Sequence, residues 1–254
     1  RGPLRAHRRQ DRASDRRHRG EEIGLRGSTN VLAGMLGPLL GGAMILYLGF
    51  SAVFALVAVL LLFSALVLFS SKENHVRYHF SVKSLLRGNS WRDGLFFVSR
   101  GTEVIAGGVI WPLFIFDILN DYFSLGMAGS ILSGGSALLL LLVGRYSDHT
   151  DKRTIIFWAT VSETLVWFFR AMVQTTVHVF GVSILAALVT GIRESPLGAL
   201  EYDKAQGEIA AYFVSREVFI CLGRVLMLTF VLMADSLSSG LAFQGIANLA
   251  AWLF

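Results

Sequence analysis

Residues 29–70 read TNVLAGMLGPLLGGAMILYLGFSAVFALVAVLLLFSALVLFS and contain no Asp, Glu, Lys or Arg. A helix needs about 20 mostly apolar residues to cross the hydrocarbon core of a membrane, where every backbone amide must be satisfied within its own segment. The stretch is long enough for two such helices, and almost nothing separates them around Phe50 and Ser51. It therefore predicts a tight hairpin of two membrane-spanning helices.

Apolar runs of similar length recur along the rest of the chain. Of the 254 residues, 54% are hydrophobic and 16% are charged, whereas roughly a quarter of the residues are charged in an average soluble domain. The composition and the runs predict an all-α, polytopic transmembrane helix bundle. Its eight predicted spans are 29–49, 51–70, 97–118, 123–144, 154–173, 177–193, 212–233 and 237–254.

The formal charge of +5 comes mainly from a basic arm, because nine of the 23 Lys and Arg residues lie in the first 26 positions. An arm of this kind beside a membrane helix is typical of an orientation signal that faces anionic lipid. Neither aromatic interleaving nor a nucleic-acid motif accompanies it. We therefore expect membrane lipid, and no nucleic acid, as the partner of the arm.

Positive residues also collect on one side of the predicted membrane. The interval 71–93 is basic, and the same side receives Arg145, Arg193 and Lys204 from later loops. Excess positive charge marks the cytoplasmic side, so both ends of the chain are expected in the cytoplasm. Arg170, near the outer end of its span, departs from this pattern.

Cysteine and histidine usage indicates no metal or cofactor. Cys221 is the only cysteine and lies in an apolar run, so we expect it to be a small buried residue without a disulfide. No two of the six histidines have the spacing of a metal site on one helix face. The chain also lacks a Gly-rich phosphate loop and a nucleophile elbow.

Small residues recur at every fourth position in two spans, and such faces let helix backbones approach closely. They are Gly34, Pro38 and Gly42 in the first span and Gly126, Ser130 and Gly134 in the fourth. Pro38 and Pro112 each remove one backbone hydrogen bond and are expected to kink their helices.

Residues 144–153 read GRYSDHTDKR and resemble the signature of the major facilitator superfamily, G-x-x-x-D-x-x-G-[RK]-[RK]. Gly144, Asp148, Lys152 and Arg153 match the signature, and Asp151 replaces its second glycine. A carboxylate at a helix end can pair with basic residues across a cytoplasmic loop and latch two helices together. The resemblance therefore implies a conformational latch in a transport cycle.

The position of this signature agrees with a second motif. In the family, the signature follows the second helix after a long central loop, which makes the first two spans here the fifth and sixth helices. The fifth helix often carries a Gly-Pro-x-x-Gly-Gly element, which Gly37, Pro38, Gly41 and Gly42 supply. This element resembles the antiporter motif of drug exporters, although Ala33 stands in place of an earlier glycine.

The resemblance implies a fragment with eight of twelve expected spans, four helices being absent upstream. Residues 1–28 would be a basic cytoplasmic arm and 29–70 the last two helices of the N-terminal bundle. Residues 71–96 would form the central cytoplasmic loop, and 97–254 a six-helix C-terminal bundle whose last helix is truncated.

Ionisable residues in membrane spans cost about 2.5–3.5 kcal/mol on insertion scales, so they usually face a cavity or a partner. The candidates for transport and coupling are Arg100, Glu103, Glu163, Glu217 and Arg224. Arg100 and Glu103 are three residues apart, which predicts a local ion pair. We hypothesise that one of Glu103 and Glu163 couples proton movement to the solute, with Arg224 as a cation near Glu163, and a structural interhelical pair is the alternative.

The resemblance implies a secondary transporter that moves a small solute by alternating access, coupled to protons and exporting a drug or metabolite. We expect a monomer in the plasma membrane that needs no cofactor. Two other hypotheses for the function stay open. A membrane-embedded transferase would need a clustered acid, base or metal, and the nearest cluster is His149 with Asp148 and Asp151. A non-transporting scaffold or sensor could keep the same fold.

Overall fold

A computed structural model describes residues 3–70, 91–146, 152–205 and 209–254. Within these ranges the elements are α1 (Pro3–Ser70), α2 (Trp91–Ile105), α3 (Trp111–Leu119), α4 (Tyr122–Tyr146), α5 (Lys152–Ala171), α6 (Thr176–Lys204), α7 (Ile209–Ala234) and α8 (Leu237–Asn248). A π-helical turn, Ala106–Ile110, joins α2 to α3, and a 3-10 turn, Leu249–Leu253, follows α8. The predicted all-α fold is confirmed.

Helix α1 breaks at Gly49, where φ is 77° and ψ is 172°. Glycine adopts this positive φ without the steric penalty that a Cβ would bring. The apolar part of α1, Val31–Ser70, has 40 residues. As one straight helix it would be about 60 Å long, roughly twice the thickness of the hydrocarbon core. The break therefore divides α1 into two lengths that can each span, next to the connection predicted at Phe50 and Ser51.

Five stretches of the described residues are long and apolar enough to cross a membrane. They are Val31–Ser70, Trp91–Leu119, Tyr122–Leu139, Thr176–Gly198 and Tyr212–Ala234. The predicted spans 154–173 and 237–254 correspond to α5, which carries charged residues, and to the shorter α8 with its 3-10 turn. The apolar stretches indicate an integral, multi-pass membrane protein.

The two predicted small-residue faces pack against each other where α1 crosses α4. A Cβ on Gly42 would collide with the backbone of α4, and a Cβ on Gly126 would collide with the carbonyl oxygen of Pro38. One turn further along α4, the hydroxyl of Ser130 accepts a hydrogen bond from the N–H of Leu39 at 3.0 Å. The crossing therefore depends on the absence of side chains at Gly42 and Gly126.

Pro112 is the second residue of α3, which follows directly after the π-helical turn. Proline has no N–H to donate, so one carbonyl of the preceding turn loses its helical partner. A π-helical turn absorbs such an irregularity within a continuous helix. The structure thus has a π turn directly before the helix that carries Pro112, and the kinks expected at Pro38 and Pro112 stay predictions.

Two predicted span boundaries differ from the structure. Helix α2 begins at Trp91 rather than 97, because Phe96 and Phe97 are fully buried. Phe96 stacks with Phe254, and Phe97 contacts the same ring edge-on. Helix α6 continues to Lys204 rather than ending at 193, because its polar residues find partners inside the protein. Lys204, for example, donates a hydrogen bond to Asp93 at 2.7 Å.

The four helices that carry the candidate site are held by close packing. Helix α2 crosses α7 at Gly101 and Gly223, where a Cβ on either residue would collide with the backbone of the other helix. Helix α5 packs against both α6 and α8. This arrangement brings one face each of α2, α5, α6 and α8 together.

Candidate functional site

A buried ionic network lies at the meeting point of α2, α5 and α6. Its centre is Arg193 of α6, whose side chain is 1% exposed. One guanidinium nitrogen, Nη1, forms an ion pair with Glu163 of α5. The other, Nη2, donates to Glu103 of α2 at 2.5 Å and to Glu194 at 3.2 Å. Arg193 thus connects three carboxylates on three helices.

Arg100 forms the second cationic centre of the network. Its two terminal nitrogens donate to the two carboxylate oxygens of Glu194 at 2.8 and 3.0 Å, which is the bidentate geometry preferred by Arg. Arg100 also donates to Glu103 at 2.9 Å. The local pair predicted from the spacing of Arg100 and Glu103 is therefore confirmed, as part of a larger network.

Asn248 connects the network to α8. Its side-chain oxygen accepts a hydrogen bond from Arg193 at 2.9 Å. Its amide nitrogen donates to the carbonyl oxygen of Thr160 at 3.2 Å and to the hydroxyl of Thr164 at 3.1 Å. Because both ends of the amide have partners, Asn248 holds Arg193 in a defined position next to α5.

The charges in the network do not balance. Two guanidinium groups, Arg100 and Arg193, contact three carboxylates, Glu103, Glu163 and Glu194. With every group ionised, this set carries one negative charge in excess. An uncompensated charge away from water is unfavourable, and binding of one proton removes it. The arrangement can therefore hold a proton.

Sequence reasoning missed Arg193 and Glu194 as site residues. The positive-inside rule assigned Arg193 to a cytoplasmic loop, and Pro196 lies where a helix end would be expected. The structure instead keeps Pro196 inside α6 and buries Arg193. The adjacent Glu194 was a signal, because a basic and an acidic residue side by side indicate a local partner.

The structure does not pair Glu163 with Arg224. Arg224 lies on an outward face of α7 and forms an ion pair with Glu217 at 3.1 Å, with the two side chains 38% and 49% exposed. Cys221 shares this face and is exposed. Spacings of three and four residues place all three on one side of the helix, away from the side with Gly223. The expected role of Arg224 beside Glu163 and the expected burial of Cys221 are therefore wrong.

The structure describes the whole Gly-Pro element but only part of the signature at 144–153. Gly144 lies in α4, and Lys152 and Arg153 begin α5. Asp148 lies outside the described residues, so the latch contact stays a prediction. In the Gly-Pro element, Pro38 and Gly42 lie at the crossing with α4, whereas Cβ atoms on Gly37 and Gly41 would meet nothing within 4 Å.

Within the described ranges, no group of three or more His, Cys, Asp or Glu residues is placed to hold a metal ion. The carboxylates of the network are instead bound to guanidinium groups.

Comparison with known proteins agrees with the fold and with the Gly-Pro element. Residues 11–97 match the family model of the Major Facilitator Superfamily, and this region includes both apolar lengths of α1. No curated protein matched the chain. Together with the all-helical membrane architecture, this match over residues 11–97 supports similarity to the transporters of the major facilitator superfamily.

Proposed function

We propose that this chain moves its solute by alternating access and that proton binding to the buried ionic network drives the movement. The observation that carries the proposal is the sharing of Arg193 between Glu163 and Glu103. These carboxylates lie on different helices, α5 and α2. A proton on either one weakens its bond to Arg193 and leaves the other as the main partner. The network thus has two arrangements, with Arg193 bound mainly to Glu163 or mainly to Glu103. A proton shifts the equilibrium between them.

The charges around Glu163 support the uptake of one proton. Arg193 and Glu194 face it from α6, and Arg100 and Glu103 from α2. Helix α8 contributes the neutral Asn248. Arg170 is the next buried charge along α5, about 10 Å away at the rise of an α-helix. The groups in direct contact have one carboxylate in excess, so the network favours one bound proton.

The direction of transport rests on the sequence motifs. The Gly-Pro element of α1 resembles that of antiporters, which favours efflux of a drug or metabolite in exchange for protons. The positive residues at 71–93 favour a cytoplasmic position for both ends of this chain, and we place the protein in the plasma membrane. In this proposal, 1–28 is the arm, 29–70 ends the N-terminal bundle, 71–96 is the central loop and 97–254 forms the C-terminal bundle.

We also propose that the signature loop latches α4 and α5 during the cycle. Gly144 would allow the close turn, and Asp148 would pair with Lys152 or Arg153 across the loop. Asp148→Asn should lower the transport rate while the protein stays folded and inserted. A scaffold or sensor that does not transport would be insensitive to this change.

The test is transport of a lipophilic cationic dye, ethidium, into vesicles that contain the protein under an imposed pH gradient. Glu163→Gln and Glu103→Gln should each lose accumulation against a gradient, because their network no longer exchanges a proton. Exchange of dye at equal concentrations should persist, because it needs no proton. Arg224→Gln is the matched control, since its charge lies on the exposed face of α7. Full gradient-driven accumulation in both glutamine variants would refute the coupling proposal.

A further inference from the structure

A row of buried polar side chains extends from the ionic network along the contact between α5 and α8. We define this polar seam as Thr160, Trp167 and Arg170 on α5 and Gln244 and Asn248 on α8. All five side chains lie in the protein interior. Asn248 is bound to Arg193 and so joins the seam to the network.

The two helices run antiparallel, and three contacts define their register. Asn248 donates to the carbonyl oxygen of Thr160 at one end, and Ser238 donates to that of Ala171 at 2.7 Å at the other. Between them, Gly245 lies against the ring of Phe168. Gln244, four residues before Asn248, therefore lies on the same face of α8 and level with the middle of the seam.

Several polar atoms of the seam have no hydrogen-bond partner among the described residues. They are the hydroxyl of Thr160, the indole nitrogen of Trp167, the Nε of Arg170 and both amide atoms of Gln244. Gln244 and Thr160 are fully buried. A buried polar atom without a partner is costly, and native proteins usually satisfy such atoms with internal water. The seam thus has polar atoms that internal water would bind.

Arg170 marks the end of the seam that is remote from the network. Its guanidinium lies over the rings of Trp111 and Trp167, at 5.0 and 4.2 Å from their centroids. No carboxylate within the described part of the chain forms an ion pair with it. Beside it lies Gly107 of the π turn. A Cβ on Gly107 would be 3.7 Å from the ring of Trp167. A glycine there leaves room that a larger residue would fill.

We propose that the polar seam holds water molecules that connect Glu163 to the Arg170 end of α5 and give the buried network a route for protons. Water there would bond to Thr160, Gln244 and the indole N–H of Trp167 in turn. The role in proton movement rests on the proposed function, whereas hydration of the seam does not.

The hydration is tested by hydrogen–deuterium exchange of the Trp167 indole N–H, followed by NMR on tryptophan-labelled protein and assigned with Trp167→Phe. The backbone N–H of Trp167 is the internal control, because it exchanges only when the helix opens. We expect the indole to exchange at least about tenfold faster than this amide. Equal rates would mean that water reaches the indole only on unfolding, and would overturn the proposal.

The proton route is tested with Gln244→Met, which keeps the volume of the side chain and removes its polar atoms. Ile246→Met, on the exposed face of the same helix, is the matched control. We expect Gln244→Met to slow pH-driven dye accumulation about tenfold, which is worth about 1.4 kcal/mol in activation free energy. Exchange of dye at equal concentrations should be unchanged.

The outcomes separate the two proposals. Fast indole exchange with normal accumulation in Gln244→Met would leave a hydrated seam and overturn its role as a proton route. If the wild-type protein shows no response to a pH gradient, the proposed coupling fails, and indole exchange still decides whether the seam is hydrated.

Discussion

Arg193 and Glu163 form an ion pair between α6 and α5 in which the arginine is 1% and the glutamate 4% exposed. Arg193 also bonds to Glu103 and Asn248, so this pair is the point where four helices share one cation. Burial of such a pair costs free energy because both charges lose their hydration. Removal of one partner costs more, because the other charge then stays buried without compensation.

Removal of the shared cation Arg193 should destabilise the protein strongly. We expect Arg193→Met to lower the free energy of unfolding by about 3–5 kcal/mol, because it leaves buried carboxylates without their cation. The double variant Arg193→Met/Glu163→Gln should be less destabilised than the sum of the two single changes, by about 0.5–3 kcal/mol. Denaturant unfolding in detergent measures both, and strictly additive effects would show that the two residues are not coupled.

The crossing of α1 and α4 should tolerate no side chain at Gly126. Gly126→Ala places a Cβ against the carbonyl of Pro38, so we expect a loss of about 1–3 kcal/mol in stability. Gly37→Ala is the control, because its Cβ meets nothing within 4 Å. That change should be neutral or slightly stabilising, since Ala favours a helix more than Gly does. Equal thermal midpoints for the two variants would contradict the crossing.

The turn before α4 should make stability depend on acidic pH. Asp121 accepts hydrogen bonds from the N–H groups of Ser124, at 2.7 Å, and Phe123, at 3.3 Å. The hydroxyl and N–H of Ser124 lower the pKa of Asp121 below its ordinary value of 3.8. A lowered folded-state pKa means that the stabilisation is present above the unfolded pKa and is lost as pH falls through the folded one.

The variant Asp121→Asn keeps a capping side chain but cannot titrate. Its stability should therefore fall less than that of the wild type as the pH is lowered from 5 through the region below 3.8. Thermal unfolding at a series of pH values measures this. Parallel curves for the two proteins would exclude a contribution from Asp121.

On the outward face of α7, the thiol should react with reagents and loss of the ion pair should change the stability of the protein little. Cys221 is exposed, so a thiol reagent should label the folded protein in detergent. Arg224→Gln breaks a half-exposed pair with Glu217 and should change stability by less than about 1 kcal/mol. Mass spectrometry measures the labelling. Resistance of Cys221 until unfolding would mean that this face is covered.

Local patterns were sufficient for several features of the fold and the site. The apolar runs predicted the helices, because the cost of burying a backbone in lipid leaves few other structures. The small-residue spacings predicted faces for close packing on α1 and α4, and the three-residue spacing predicted the pair of Arg100 and Glu103. These features depend on neighbours within one helix or on the shape of one helix face, which a sequence displays directly.

The sequence by itself determined that this protein is an all-helical membrane protein, with Glu163 as an unusual charge inside it, and it carried motifs that resemble those of the major facilitator superfamily. Only the tertiary structure decided that the partner of Glu163 is Arg193 and not Arg224. Helical periodicity gives the spacing of residues on a face but not the direction in which that face points. The direction is set by packing among α2, α5, α6 and α8, through contacts between residues far apart in the chain.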